Sequence, residues 1–268
     1  MCSLSNNNVE QSLNTKNKRS SLIYTWFFFH SICFFSWFIF CHGNERCPRL
    51  MKRSKKILNR PNPLELPRKA LHASIGFVVL YLYHCGISQR IAMLLCLIAT
   101  TFVLGVEACR FYLPAFNHFI LSACSAFSRS KETKNLTGCF YFIVGIDFCL
   151  ALLPVRLAVL AILLASWCDP IASLSGRLFG KYTFVICGKK TFAGAIGCFF
   201  AGFLTSKYYF NSILHQNSSV AWFLFCAALT CASELVNICG LDDNLVMPIV
   251  TGTALTLVCR LIKVEGVY

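Results

Sequence analysis

Cys168-Asp-Pro-Ile-Ala-Ser-Leu-Ser-Gly-Arg-Leu-Phe-Gly-Lys181 follows directly on an apolar run, Leu157–Trp167. An acid followed by proline at the end of such a run reads as a helix break. The residue before proline is pushed out of the helical region, and Asp is a good N-cap for a helix whose first position is Pro. The sequence therefore predicts one helix ending near Cys168 and another starting at Pro170 with Asp169 as its cap. Ala172, Gly176 and Gly180 fall three, seven and eleven positions after Asp169, close to one helical face. That face is nearly bare of side chains, so it suits either a partner helix, as in small-xxx-small packing, or a phosphate chain. Arg177 and Lys181 lie beside it, and Lys189 and Lys190 follow in Gly188-Lys-Lys-Thr-Phe-Ala-Gly-Ala-Ile-Gly197. One carboxylate among several cations suits a nucleotide triphosphate. Magnesium takes one or two carboxylates plus phosphate oxygens, and Lys and Arg neutralise phosphate.

Working outward, the class of protein follows from composition. The chain has 268 residues, 56% hydrophobic and only 13% charged, which describes an integral, multi-spanning membrane protein. The net charge of +14 needs no nucleic acid to explain it, because positive-inside topology and anionic lipid account for it. The 17 cysteines sit mostly in apolar runs and form no Cys-x-x-Cys pair, so they read as small apolar fillers and not as zinc ligands or a disulfide framework.

Residues 1–60 form an N-terminal extension in three parts. Residues 1–20 are polar and read as disordered. Leu22–Cys41 is apolar and long enough to span, although an interfacial helix or a signal-like segment has the same pattern. Arg46–Arg60 is basic. From residue 61 to 268 the pattern becomes regular. Apolar runs at Ala70–Ile87, Ile91–Cys109, Gly138–Leu153, Leu157–Trp167, Phe192–Phe210, Val220–Gly240 and Leu245–Ile262 predict an all-α polytopic bundle of about seven spans, plus a possible N-terminal one.

Charge sets the topology. The connections holding Arg68, Lys69, Arg110, Arg129, Lys131, Lys134, Arg177, Lys181, Lys189 and Lys190 are expected in the cytosol, and Gly240-Leu-Asp-Asp-Asn244 falls on the same side. Asp147 lies inside a span, where hydrogen bonding to a neighbouring helix is the plain reading. Glu234, at the depth of the Val220–Gly240 run, needs a partner. Asp242 or Asp243 suits the cap of the last helix, or a metal. Glu107, Arg110, Asn117, Arg129, Glu132 and Asn135 share one cytosolic stretch, which a solvated surface helix would also produce. Asn217-Ser-Ser219 is a sequon on the expected lumenal side, and Asn135-Leu-Thr137 is one on the expected cytosolic side, where it stays unmodified.

Five segments in register carry a resemblance: Pro67-Arg-Lys-Ala-Leu-His72; Glu107-Ala-Cys-Arg110 with Phe116-Asn117; Asp169-Pro-Ile-Ala172 with Gly176; Gly188-Lys-Lys-Thr-Phe-Ala-Gly194; and Glu234 with Gly240-Leu-Asp-Asp-Asn244. Together they resemble the fungal CTP-dependent diacylglycerol kinases, relatives of dolichol kinase and of the phosphatidate cytidylyltransferases. The resemblance spans about Pro63 to Gly252 and leaves residues 1–60 aside. It implies a membrane enzyme of the endoplasmic reticulum and nuclear envelope that moves the γ-phosphoryl group of CTP to diacylglycerol, with a divalent cation (Mg2+ or Ca2+). It also implies functional roles for Arg68, Lys69, Asp169 and Gly176.

With phosphoryl transfer resting on positioning and charge neutralisation, each residue then has an expected task. Asp169 holds the metal, and Lys189 with Lys190 or Arg177 neutralises the triphosphate. Arg68 and Lys69 close from the neighbouring span, and Gly176 and Gly194 let phosphates approach the backbone. Glu234 or Asp243 positions the lipid hydroxyl or a second metal. A CTP-dependent dolichol or polyprenol kinase, a cytidylyltransferase and a small membrane transporter are the alternatives. The transporter would require midplane charge pairs and internal repeats, which the chain lacks beyond Asp147.

Overall fold

Each of the seven apolar runs becomes a helix. The structure, a computed structural model, describes residues 65–216, 218–236 and 241–262. Its helices are α1 (Leu66–His84), α2 (Gln89–Tyr112), α3 (Pro114–Ala123), α4 (Gly138–Leu152), α5 (Val155–Phe179), α6 (Phe192–Tyr208), α7 (Val220–Leu235) and α8 (Asp243–Leu261). The extension over 1–60 and the Asn217 sequon lie outside the described residues. Only α3 has no apolar run behind it. Pro114 at its first position starts it from the extended residue Leu113.

α2, α5 with the turn after it, and α8 have the length and apolarity to cross a membrane. α4 and α7, with 15 and 16 residues, are shorter than the expected bilayer length. At 1.5 Å per residue they reach about 22–24 Å, against a hydrocarbon core of about 30 Å.

α5 is the central helix. Every residue from Leu157 to Ala165 is buried, whereas α2 exposes Leu94, Leu95, Ile98 and Phe102. A helix that is apolar on all sides belongs in the middle, and one with a wide apolar exposed face belongs against lipid. α5 packs on α1, α4, α6 and α8, while α7 packs on α6 and α8, and α2 on α4. Thr100 of α2 donates to Asp147 of α4 at 2.6 Å, which is the interhelical bond expected for that acid.

The expected break at Asp169–Pro170 does not occur. α5 runs through Pro170 without interruption. Proline removes the donor for the Ser166 carbonyl and costs about 3 kcal/mol in a helix interior. Packing outweighs that loss. Around the proline, Trp167 Nε1 donates to the Ala73 carbonyl at 3.1 Å, and His72 Nε2 lies 3.3 Å from the Ala165 carbonyl, clasping α1 to α5. Asp169 is therefore a mid-helix residue and not a cap, which leaves its carboxylate for other work.

Between α5 and α6 the chain forms a two-stranded antiparallel hairpin, β1 (Val185–Cys187) and β2 (Lys190–Thr191), the one sheet among the described residues. Gly188 turns it at φ +56°, a conformation that glycine adopts freely and other residues resist. Thr191 then caps α6 by accepting from Gly194 N at 3.2 Å.

Candidate active site

The starts of α1, α4, α6 and α8 meet the ends of α2, α5 and α7 at one end of the bundle, and nearly all the ionisable side chains gather there. α1 enters through Glu65, whose backbone is left-handed (φ 47°) and which caps the helix with no side-chain bond. Its carboxylate is used elsewhere. It pairs with Arg68 one turn on and with Arg177 of α5 at 2.5 Å, and Arg129 approaches to 3.9 Å. Burial alone would raise the Glu65 pKa, but the hydrogen bond from Arg177 and the charges of Arg68, Arg177 and Arg129 outweigh it. The carboxyl is held below its ordinary value of 4.5. Glu65 thus organises three arginines from three segments, which no local sequence pattern signals.

Next to Arg68 on α1, Lys69 is 6% exposed, and its Nζ has no hydrogen-bond partner among the described residues. A buried, unpaired ammonium is costly, so it implies a charge yet to arrive. Asp169, half-buried on α5, lies within electrostatic reach of Arg68, Lys69, His72 and Glu234. It forms no hydrogen bond or ion pair among the described residues.

Lys190 of β2 clips the hairpin to two helices. Its Nζ donates to Glu234 Oε1 of α7 at 2.5 Å and to Asp243 Oδ2 of α8 at 2.8 Å. Burial would lower the Lys190 pKa, but the charges and hydrogen bonds of Glu234 and Asp243 more than reverse that, and the net shift is upward. Glu234 is 6% exposed, and its second oxygen, Oε2, has no partner among the described residues. Asp242 and Asp243 take different tasks. Asp242 caps α8, accepting from Asn244 N at 3.3 Å, and Asp243 meets Lys190.

A cavity of about 570 Å³ opens beside this clip, between the hairpin turn (Cys187–Lys190), Arg129 with Asn135, Leu136 and Tyr141, and Leu235 with Leu241–Asp243. The size is in the range of small-molecule sites. Lys189 stands exposed at the turn on its rim. Asp169 does not line the cavity. It lies within electrostatic reach of Glu234, whose partner Lys190 lines the cavity.

Two expected nucleotide-binding positions are used differently. Gly176 and Gly194 face one another, and a Cβ on Gly194 would come within 3.0 Å of the Ala172 carbonyl and 3.6 Å of Gly176 Cα. Their smallness lets α5 and α6 touch backbone to backbone, so the space expected for phosphate is filled by helix. The first amides of α6 are also taken. Phe192 N donates to the Phe184 carbonyl at 3.0 Å, Ala193 N to Thr183 Oγ1 at 3.3 Å, and Gly194 N to Thr191.

Glu107, Arg110 and Asn117 are not a solvated surface either. Arg110 is 1% exposed and holds both oxygens of Glu107 at 2.8 and 2.7 Å, Asn117 Oδ1 at 3.2 Å and the Glu132 carbonyl at 2.6 Å. Thr137 Oγ1 donates to Glu107, and Glu132 accepts from the backbone of Arg129 and Gly138. This network fixes the loop that carries Arg129 and Asn135 to the cavity. The sequence signal for it was the Glu-x-x-Arg spacing, one helical turn, with Asn117 seven residues on.

Among the described residues no group of three or more His, Cys, Asp or Glu is placed to hold a metal ion. The donors present, Asp169 and the free oxygen of Glu234, still fit a hard cation that takes one or two carboxylates and completes its shell with water and phosphate. Asp243, expected as a metal ligand, is turned to Lys190 instead.

Comparison with known proteins agrees with this picture. Over 205 residues the chain is 34% identical to CTP-dependent diacylglycerol kinase 1 of Schizosaccharomyces pombe, covering 72% of this chain and 93% of that protein. Over 217 residues it is 25% identical to CTP-dependent diacylglycerol kinase 1 of Saccharomyces cerevisiae, covering 74% and 75%. Probable phytol kinase 2, chloroplastic, of Oryza sativa subsp. japonica is more distantly similar, 28% over 199 residues, covering 69% of this chain and 63% of that protein. No family model matches the chain, and no solved structure does. The bundle and its polar end are those of a membrane-embedded lipid kinase. The chain belongs to the family of CTP-dependent diacylglycerol kinases.

Proposed function

We propose that this chain transfers the γ-phosphoryl group of CTP to the free hydroxyl of diacylglycerol, giving phosphatidate and CDP, with residues 61–268 as the kinase unit. The observation that carries the reading is the set of side chains left unsatisfied at one end of the bundle. Among the described residues Lys69 Nζ and Glu234 Oε2 are buried without partners, and Asp169, within electrostatic reach of both, is unpaired. Such charges are stabilised by a ligand that brings both anionic phosphate and a counter-cation.

The triphosphate lies along Lys189 and Lys190, with Lys69 and Arg68 facing it from α1 and Arg177 at the rim. Asp169 would hold a divalent cation, with Glu234 adjacent. When bound, that cation supplies charge neutralisation across the phosphates. Glu234 Oε2 accepts a hydrogen bond from the lipid hydroxyl and aims its oxygen at the γ-phosphorus. The new bond forms from that oxygen to phosphorus, the bond from phosphorus to the β–γ bridging oxygen breaks, and CDP leaves. The hydroxyl proton passes to Glu234. Positioning and charge neutralisation are what the protein contributes to such a transfer.

The positive-inside rule supports a cytosolic position for this end. An endoplasmic reticulum membrane, including the nuclear envelope, suits an enzyme whose acceptor is made there. The similarity to a plant phytol kinase supports a second reading, the same chemistry on a polyprenol.

One experiment separates the readings. Membranes containing the protein are given CTP or ATP labelled at the γ-phosphate, with diacylglycerol or dolichol. Label should enter phosphatidate from CTP alone. Label in dolichol phosphate only would shift the acceptor, and label released as pyrophosphate would indicate a cytidylyltransferase.

A further inference from the structure

The hairpin between α5 and α6 carries an apolar surface that phosphoryl transfer does not use. Tyr182 is 74% exposed, Phe184 65% and Val185 58%. All three residues of β1 are exposed, so the strand lacks the in–out alternation of one packed on a core. A patch of this kind in water would be a binding or aggregation surface.

Its neighbours indicate what covers it. On α6, the residues Phe192, Ile196, Phe200, Leu204 and Tyr208 recur every four positions and are all exposed. On a helix that interval is one continuous face, and in this bundle it is a face for lipid. Phe184 stacks on Phe192 with ring centroids 4.8 Å apart, so the hairpin extends the same stripe beyond the helix. Lys181 lies over the Tyr182 ring at 4.7 Å. Aromatic rings with an adjacent lysine suit the headgroup level of a leaflet, where the ring is half-immersed and the ammonium meets anionic headgroups. The other edge of the same hairpin holds Lys190 against Glu234 and Asp243.

We infer that the hairpin is seated in the membrane surface. Tyr182, Phe184 and Val185 occupy the boundary between headgroups and acyl chains of the adjoining leaflet, and the occupant is a glycerophospholipid surface. The hairpin then faces two substrates at once, with lipid along its apolar side and the polar site behind Lys190. A lipid alcohol at headgroup depth then reaches Glu234 behind Lys190 without leaving its leaflet, a step that rests on the kinase reading.

The test uses the full chain in nanodiscs of phosphatidylcholine and phosphatidylserine, with the photoreactive residue benzoylphenylalanine in place of Phe184 and, separately, of Val185. Illumination should give a mass increase of one phospholipid at either position. Crosslinks to a second copy or to another protein, or no adduct at both positions, overturn the inference. This readout needs no turnover, so it stands or falls apart from the kinase reading. In mixed micelles, Phe184→Ser with Val185→Ser should raise the KM for lipid acceptor, as mole fraction, about tenfold and leave the KM for CTP unchanged. An unchanged lipid KM overturns the role in acceptor access.

Discussion

Two charge clusters stand near each other in this protein and differ in one respect. Around Arg110, every side-chain nitrogen and oxygen of Arg110, Glu107, Asn117 and Glu132 has a partner. The guanidinium meets Glu107, Asn117 and the Glu132 carbonyl, and Glu107 also accepts from Thr137. Around Asp169, the groups are assembled but incomplete, with Lys69 Nζ and Glu234 Oε2 left over. Both clusters draw on distant parts of the chain and both are largely buried, so burial does not tell them apart. Satisfaction does. A closed network rigidifies a fold, whereas buried groups without partners are a standing cost that only a ligand offsets.

The sharpest way to break the comparison is Asp169→Ala. It should lower lipid phosphorylation about a hundred- to a thousandfold, as losing a key electrostatic group does. Its thermal midpoint in detergent should not fall, because no bond among the described residues is lost. A loss of both together would make Asp169 a structural residue.

Arg110→Met should do the reverse. Leaving Glu107 buried and unpaired should cost about 3–5 kcal/mol, read as a lowered Tm. The double variant Glu107→Leu with Arg110→Met should recover most of that stability, since removing both charges removes the unpaired one. Failure of the double variant to recover would mean the polar network itself, through Asn117 and the Glu132 carbonyl, is indispensable.

Lys190→Met is intermediate, because Lys190 belongs partly to each kind of cluster. It frees the hairpin and removes one phosphate-facing charge, so the KM for CTP should rise about tenfold, equivalent to about 1.4 kcal/mol. An unchanged KM would confine Lys190 to holding the hairpin.

The smallest expected effect concerns pH. Glu65 has a lowered pKa, so its ion pairs contribute fully above its ordinary value of 4.5 and are lost as pH falls through the still lower folded value. Lys190 has a raised pKa, so its own charge contributes fully below 10.5 and is lost as pH rises through the higher folded value, while the clip as a whole also needs its carboxylate partners ionised. Neither group should add a titration between those limits. Glu65→Gln should therefore leave the shape of the activity profile in that interval unchanged. A new limb appearing there would show that Glu65 controls another titrating group.

The spans were legible because lipid demands long apolar helices, and a run such as Ile91–Cys109 has no other use for its composition. The site was legible in part. Arg68, Lys69, Asp169, Lys190 and Glu234 converge, while Gly176 and Gly194 meet each other as a helix contact. Spacing alone allowed both outcomes for that small-residue face, and a one-dimensional pattern cannot say which partner arrives. The unbroken α5 escaped for a similar reason. The local preference of Asp-Pro for a break is a few kcal/mol, and the packing of α1 and α5 around it exceeds that.

Hydropathy and charge along the chain were enough to settle that this protein is a helical membrane bundle, because each such property is carried by one segment and its solvent. Which charges are closed and which remain open was decided only in three dimensions. Lys190 meets Glu234 and Asp243 across 44 and 53 residues of chain, and Arg177 meets Glu65 across 112. Whether a buried charge is satisfied depends on the atoms within about 3 Å of it, and those come from helices that no local pattern orders.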